Sequence, residues 1–253
     1  MKTILISAIT AGLFAIGASA HANSFTNGDF ASNGGNGQIN YNTSATDWYV
    51  PGDDGNSYTF IYAAGTADHA GTAGTYGDNQ LWGLANGGLD AIPAPPSGAA
   101  YFIAQDGDFQ ISPLNQDITG LHVGKTYTVA FDYGYAQQES FYGDTIQQWS
   151  VSLGASPSQY TPALTNPSQG FTGWFHESFN FVANNPAETL SFLAHGNLPV
   201  PPFAVLSGVT FTPDTSAVPE PATWTMMILG VGGIGAMARR RRAAGLAAVA
   251  TAA

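Results

Sequence analysis

From Thr126 to Tyr133 the chain reads T-Y-T-V-A-F-D-Y. Tyr127, Val129, Phe131 and Tyr133 alternate with Thr128, Ala130 and Asp132, the two-residue period of a strand with one buried face. The same period returns in Trp149, Val151 and Leu153. It returns again in Trp174–Phe181, where Phe175, Phe179 and Phe181 share one face, and in Leu190, Phe192 and Ala194. Tyr58–Tyr62, Ala100–Ala104, Leu114–Ile118 and Val205–Phe211 are short apolar strands, and Asp47–Val50 reads as another. No stretch between Asn23 and Asp214 sustains a helical period. About eight to ten short strands, separated by Gly, Pro and Asn turns, predict an all-β, antiparallel jelly-roll sandwich. Residues 63–98 are small and glycine-rich, and predict loop with one buried touchdown at Gln80–Leu84.

Composition narrows what such a domain can bind. Charged residues are only 9% of the 253, and there is no cysteine, so burial and hydrogen bonds must hold the fold. Of the 6 basic residues only Lys125 lies between Ala20 and Ala238, whereas all 17 acidic ones do. A surface of that sign offers nothing to neutralise phosphates, so nucleic acid is excluded as a partner. It also repels anionic lipid and polyanions.

N-G-D-F at 27–30, A-Y-F-I-A-Q-D-G-D at 100–108, and G-L-H-V-G-K-T-Y-T-V-A-F at 120–131 resemble the galactose-binding-like jelly rolls. That group includes many carbohydrate-binding modules and bacterial surface domains. The resemblance implies a fold more than a function. It also implies a structural calcium near the opening N-G-x-F. Asp29 matches the acidic position, but the closing segment Leu206-Ser207-Gly208-Val209 supplies no carboxylate where relatives have one. Calcium wants six to eight oxygens. No other cofactor is expected.

No catalytic pattern is legible. The histidines at 21, 69, 122, 176 and 195 are scattered, and H-E-x-x-H and G-x-S-x-G are absent. Asp53-Asp54-Gly55-Asn56 and Asp106-Gly107-Asp108 read as solvated turns sooner than as calcium loops. Exposed aromatics are the candidates for ligand contact, because sugars stack their C–H faces on rings. Trp48, Tyr49, Trp82, Tyr133, Tyr135, Tyr142 and Trp174 qualify by type. Tyr135 and Tyr142, which bracket a polar-aromatic stretch read as a loop, are the two ligand-binding residues expected.

The ends are addresses. Residues 1–22 form a secretory signal peptide: Lys2, an apolar run from Ile4 to Gly17, then A-x-A sites ending at Ala20 or Ala22. Residues 23–213 are the sandwich ectodomain and 214–218 a linker. Ala222–Ala238 is 17 uncharged residues. As a helix it would span roughly 26 Å, a little under the ~30 Å of a bilayer core. Arg239, Arg240, Arg241 and Arg242 then set a positive-inside topology, with an Ala-rich cytoplasmic tail at 243–253. Pro219-Glu220-Pro221 ahead of Trp224 keeps the backbone extended, as a protease requires.

P-E-P-x-x-W, a glycine-rich span and an arginine cluster together resemble the PEP-CTERM sorting signal, PEPxxW subtype, of Gram-negative bacteria. The resemblance implies recognition by exosortase, a membrane cysteine protease, through Pro219, Glu220, Pro221 and Trp224. Thr225 stands where many relatives have Ala. Export by the Sec machinery and signal peptidase, a transient stay in the inner membrane, and delivery to the cell surface or matrix follow. The expectation is a non-enzymatic, exosortase-sorted surface protein that associates with extracellular polysaccharide. The alternatives are a secreted glycan-active enzyme and a purely structural matrix protein.

Overall fold

The computed structural model describes residues 23–52, 57–69, 71–197 and 200–214, together with 226, 228–230 and 239. The chain divides into two compact units, Met1–Pro213 and Asp214–Ala253. In the second, residues 226, 228–230 and 239 are helical. Among the described residues no helix is long and apolar enough to cross a membrane. The expected signal peptide, and most of the expected span 222–238, lie outside those residues.

The described residues of the first unit are almost wholly strand and loop, with a single 3-10 turn among them at Leu84–Asn86. In chain order the strands are β1 (Gly37–Gln38), β2 (Thr59–Ala63), β3 (Thr72–Gly74), β4 (Gly77–Asn79), β5 (Tyr101–Asp106), β6 (Leu114–Thr119) and β7 (Thr126–Gln137). There follow β8 (Thr145–Leu153), β9 (Gln159–Tyr160), β10 (Leu164–Asn166), β11 (Phe175–Val182), β12 (Ala187–Gly196) and β13 (Pro202–Pro213). One sheet runs β1-β2-β5-β13-β7-β11 and the other β10-β8-β12-β6, with β9 added beside β8 and β3-β4 a separate hairpin. From β5 onward nearly every connection changes sheet. The resulting orders, 5-13-7-11 and 6-12-8-10, are the nested pattern of a jelly roll. The surplus over the expected strand number is small pieces such as β1, β3 and β9.

Two apolar layers follow. The first lies between the sheets, and Trp149, Phe131, Phe192, Leu206 and Tyr127 are among its buried members. The second lies on the outer face of the six-stranded sheet. There Phe60, Tyr62, Phe102, Ala136, Phe203 and Val205 are covered by Ala67, Leu81, Ile92 and Phe171. Segment 63–98 is therefore loop, as its composition predicts, and it is also a lid on a sheet face. Trp174 Nε1 donates to Pro93 O at 2.8 Å and Leu89 N to Gln169 O at 2.9 Å, tying the two covering segments together. This cover explains why β7 loses its alternation after Phe131 and is buried on both faces to Gln137.

Asp47–Val50 does not form the expected strand. Asp47 takes a left-handed φ of 66°, which breaks an extended run. Trp48 and Tyr49 make only isolated bridges, to Ala45 and Asn115. The N-G-D-F segment is a structural knot. Asn27 receives the Trp48 indole N–H on its carbonyl at 3.0 Å, and Gly28 O accepts from Val209 N at 2.8 Å.

Candidate functional site

A groove of about 380 Å³, with walls more aromatic than those of the larger concavity at residues 155–159 and 180–184, lies at one end of the second apolar layer. Tyr58, Tyr76, Asp106, Asp108, Phe109, Gln138, Phe141, Pro201 and Pro202 line it. Asp106 ends β5. Its Oδ1 accepts the N–H groups of Asp108 (2.8 Å) and Phe109 (3.0 Å), and this tight turn throws Phe109 outward. The turn is pinned from below: Gly107 N donates to Pro202 O at 2.8 Å, and Gly196 N to Gly107 O at 2.9 Å.

Phe109 meets Tyr58 edge-on at 5.5 Å and Tyr76 at 5.3 Å. Tyr58 is seated on Phe60 and Phe203, ring centroids 4.8 and 5.6 Å away, so the cluster grows out of the second apolar layer. Tyr76 rides the β3–β4 turn, where its hydroxyl accepts from Gln110 Nε2 at 2.8 Å. The opposite wall follows β7. Trp82 Nε1 donates to Phe141 O at 2.9 Å and fixes that loop. Tyr76 is 61% exposed, Phe109 44% and Phe141 40%, an unusual concentration of open aromatic surface on a domain with so large a core.

The polar centre is Asp106. It is 1% exposed, yet its Oδ2 has no hydrogen-bond partner. A buried acceptor left open is costly, and of the described atoms so placed this is the one carboxylate oxygen on a residue that lines the groove. Burial raises its pKa from 3.8 to about 6, against the lowering effect of the two backbone N–H groups, and the nearby Asp108 charge adds to the rise.

A folded-state pKa above the unfolded one means that folding holds the proton. The stability this group contributes is fully present below about pH 3.8 and is lost as pH rises through about 6. The full shift corresponds to about 3 kcal/mol, an upper figure. Asp106→Asn keeps an oxygen for the two N–H groups and carries no charge. It should melt close to wild type at pH 4 and about 5 °C higher at pH 7.5. Thermal unfolding of both proteins across that range checks it. A variant that melts lower than wild type at pH 7.5 would contradict the assignment.

The other expected site residues fall elsewhere. Tyr135 is a correction: it is fully buried in the layer between the sheets, and its hydroxyl bonds Thr161 Oγ1 at 2.8 Å and Pro162 O at 3.1 Å. Strand β7 runs through it, so the stretch from Tyr135 begins as strand, not loop. Its ring cannot face a ligand, and burial pushes the pKa of its hydroxyl well above the ordinary tyrosine value. Tyr142 is exposed beside the groove wall and packs on Trp82 at 5.5 Å, without lining the groove. Trp48, Trp82 and Tyr133 are buried. Asp29 is exposed, and its Oδ1 caps its own turn by accepting Ala31 N at 3.2 Å. Among the described residues no group of three or more His, Cys, Asp and Glu could hold a metal. Asp53 and Asp54, the sorting residues Pro219, Glu220, Pro221 and Trp224, and Arg240, Arg241 and Arg242 lie outside the described residues. Arg239 is helical and exposed.

His69, His176 and His195 each meet a polar side chain. His69 pairs with Asp68 at 2.8 Å and His176 with buried Asp132 at 2.9 Å. His195 Nε2 lies 2.8 Å from Ser150 Oγ, and burial lowers its pKa. That last contact has the outline of a nucleophile and its base. Among the described residues, however, no carboxylate hydrogen-bonds the other ring nitrogen to orient it.

Sequence reading missed Tyr58, Tyr76, Phe109 and Phe141, which are far apart in the chain. The usable signal was local: Tyr76 and Phe109 each sit in a Gly/Asp turn, where an aromatic side chain has no core to enter.

No curated protein matches the chain. Solved structures overlap it loosely. A CBM4 structure overlaps at 18% identity, over 76% of this chain and 100% of that one, with a TM-score of 0.37. TmCBM61 in complex with β-1,4-galactotriose overlaps at 14% identity, over 76% and 99%, with a TM-score of 0.39. The CBM22-1 xylan-binding domain of Paenibacillus barcinonensis Xyn10C overlaps at 9% identity, over 67% and 87%, with a TM-score of 0.33. Overlaps this loose assign no ligand to this chain. At the C-terminus, residues 217–242 match the PEP-CTERM protein-sorting motif, the signal of an exported protein.

Proposed function

We propose that this is a surface or matrix protein of a Gram-negative bacterium, sorted by an exosortase through a PEPxxW signal, whose sandwich domain is a non-catalytic binder of extracellular polysaccharide. The groove carries the binding half of this reading. Tyr76, Phe109 and Phe141 offer open ring surface to the C–H faces of a sugar, and the unpartnered Asp106 Oδ2 offers an acceptor to a hydroxyl. Anchoring aromatic rings on a rigid apolar layer costs little entropy on binding. Asp106 and Asp108 approach from one turn. Glycoside hydrolysis uses carboxylates that flank the bond from opposite sides, so the arrangement favours holding a glycan over cutting it.

Glycan-array binding by the protein released from cells tests the reading, with the host's own exopolysaccharide on the array. Binding to at least one polymer, without turnover, is expected. Tyr76→Ala should weaken it about tenfold, the scale of one lost ring contact. Absence of binding to every glycan, or hydrolysis of the bound one, would overturn it. The sorting half is read by mass spectrometry of the same released protein. Its C-terminus should lie ahead of Trp224, and a released form that still carries Trp224–Arg242 would argue for a plain membrane anchor.

A further inference from the structure

The groove is specific about charge. Among the described residues no Lys, Arg or His lines it, while two carboxylates and three mutually edge-on rings do. Tyr58 and Tyr76 lie 6.2 Å apart and Phe109 closes the triangle, beside a carboxylate whose Oδ2 is buried and unpartnered. A neutral hydroxyl would satisfy one lone pair of that oxygen but leave its charge uncompensated in an apolar wall, which is expensive. An ammonium answers both needs. It donates to the carboxylate, and the electron-rich faces of the rings attract it.

Resting on the glycan reading above, we infer that the groove recognises a sugar bearing a free primary amine: the ligand is a hexosamine polymer with unacetylated amino groups, its ammonium set between Asp106 and the Tyr58–Tyr76–Phe109 rings. The acidic domain surface, with Lys125 its single basic side chain between Ala20 and Ala238, draws such a polycation in and turns uronic-acid polymers away. The titratable groups around Asp106 are Asp108, Tyr58 and Tyr76. The backbone of His195 runs beside Gly107, and its ring bonds Ser150. The groove is therefore armed for a cation once Asp106 is ionised.

The test is calorimetric titration of the full-length protein at pH 7 with three tetrasaccharides of one linkage: β-1,4-glucosamine, its fully N-acetylated form, and the glucose counterpart. The glucosamine tetramer should bind at least tenfold more tightly than either of the others. Asp106→Asn should erase that preference while melting no lower than wild type. Phe109→Ala should weaken all three sugars and so reports the ring contacts separately. Wild-type preference should also fall below pH 6. Attraction of a polycation to the acidic surface in general would survive Asp106→Asn, because the other acidic residues remain, and that result would overturn the inference. So would loss of binding on adding a chelator, which would mean that a metal holds the sugar. Equal binding of the three sugars would sink the amine assignment and leave the glycan reading standing. Failure of all three, together with every glycan on the array, would remove the reading itself.

Discussion

Trp149→Ala is expected to be the most destabilising single truncation in the sandwich. The side chain is fully buried on β8, and its ring meets Phe192 edge-on at 6.3 Å. Its indole N–H crosses to the facing sheet and donates to Val205 O at 3.2 Å. Truncation therefore leaves a cavity between the sheets and removes the hydrogen bond that links them. The cavity alone costs about 3–5 kcal/mol, and the lost inter-sheet hydrogen bond about 1 kcal/mol more. Against a total of roughly 5–15 kcal/mol this is a large fraction. At about 2–4 °C per kcal/mol for a domain of this size, the melting temperature should fall by at least about 10 °C. Trp149→Phe, which retains most of the apolar volume, should recover more than half of the loss. A fall of only a few degrees for the alanine variant would mean that β8 does not hold the two sheets together.

That side chain was visible in the sequence, because Trp149, Val151 and Leu153 repeat every second residue. The same rule found the inner face of β7, and it reached further than it was first applied. Tyr135 is next in the series Tyr127, Val129, Phe131, Tyr133, and it is buried with them. The polar residues that follow it suggest a loop, and that local signal is what points, wrongly, to a ligand contact at Tyr135. Periodicity could not reveal the second apolar layer. A sheet face covered by a glycine-rich lid has no pattern of its own, and Ala67, Leu81 and Ile92 are too widely spaced to register as one surface. The groove inherits that opacity. Its rings stand just ahead of β2 (Tyr58), on the hairpin within the lid (Tyr76) and on two loops (Phe109 and Phe141), segments that only the folded sheet and its lid bring together. Asp106 reads as a solvated turn residue because turn chemistry is local, whereas its place inside the sheet comes from other parts of the chain: its N–H bonds Tyr58 O, and it pairs with Phe203 of β13. The C-terminal signal was the reverse case. It is linear, so its residues are legible without any fold.

Gly28→Ala is expected to cost about 3 kcal/mol or more, although it adds only one methyl group. A Cβ at Gly28 would stand 1.8 Å from Val209 O and 2.8 Å from Val209 C. Both atoms are backbone, so no side-chain rotation relieves the clash. The segment must move away from β13, and in moving it breaks the 2.8 Å bond from Val209 N to Gly28 O. Val209 lies where the β13–β7 register shifts between Ser207 and Thr210, and Gly208 there has φ 58°. Opening segment and closing strand are thus locked at one irregular point, and the glycine of N-G-D-F is what lets them approach. Trp48, whose indole bonds Asn27 O, would be displaced along with them. Gly35→Ala serves as the control. Its φ is 95° but a Cβ there meets nothing within 4 Å, so it should cost only the backbone strain, about 1–2 kcal/mol. Denaturant unfolding of the two variants separates the mechanisms. If Gly28→Ala costs no more than Gly35→Ala, the close approach to Val209 is not what the motif's glycine is for.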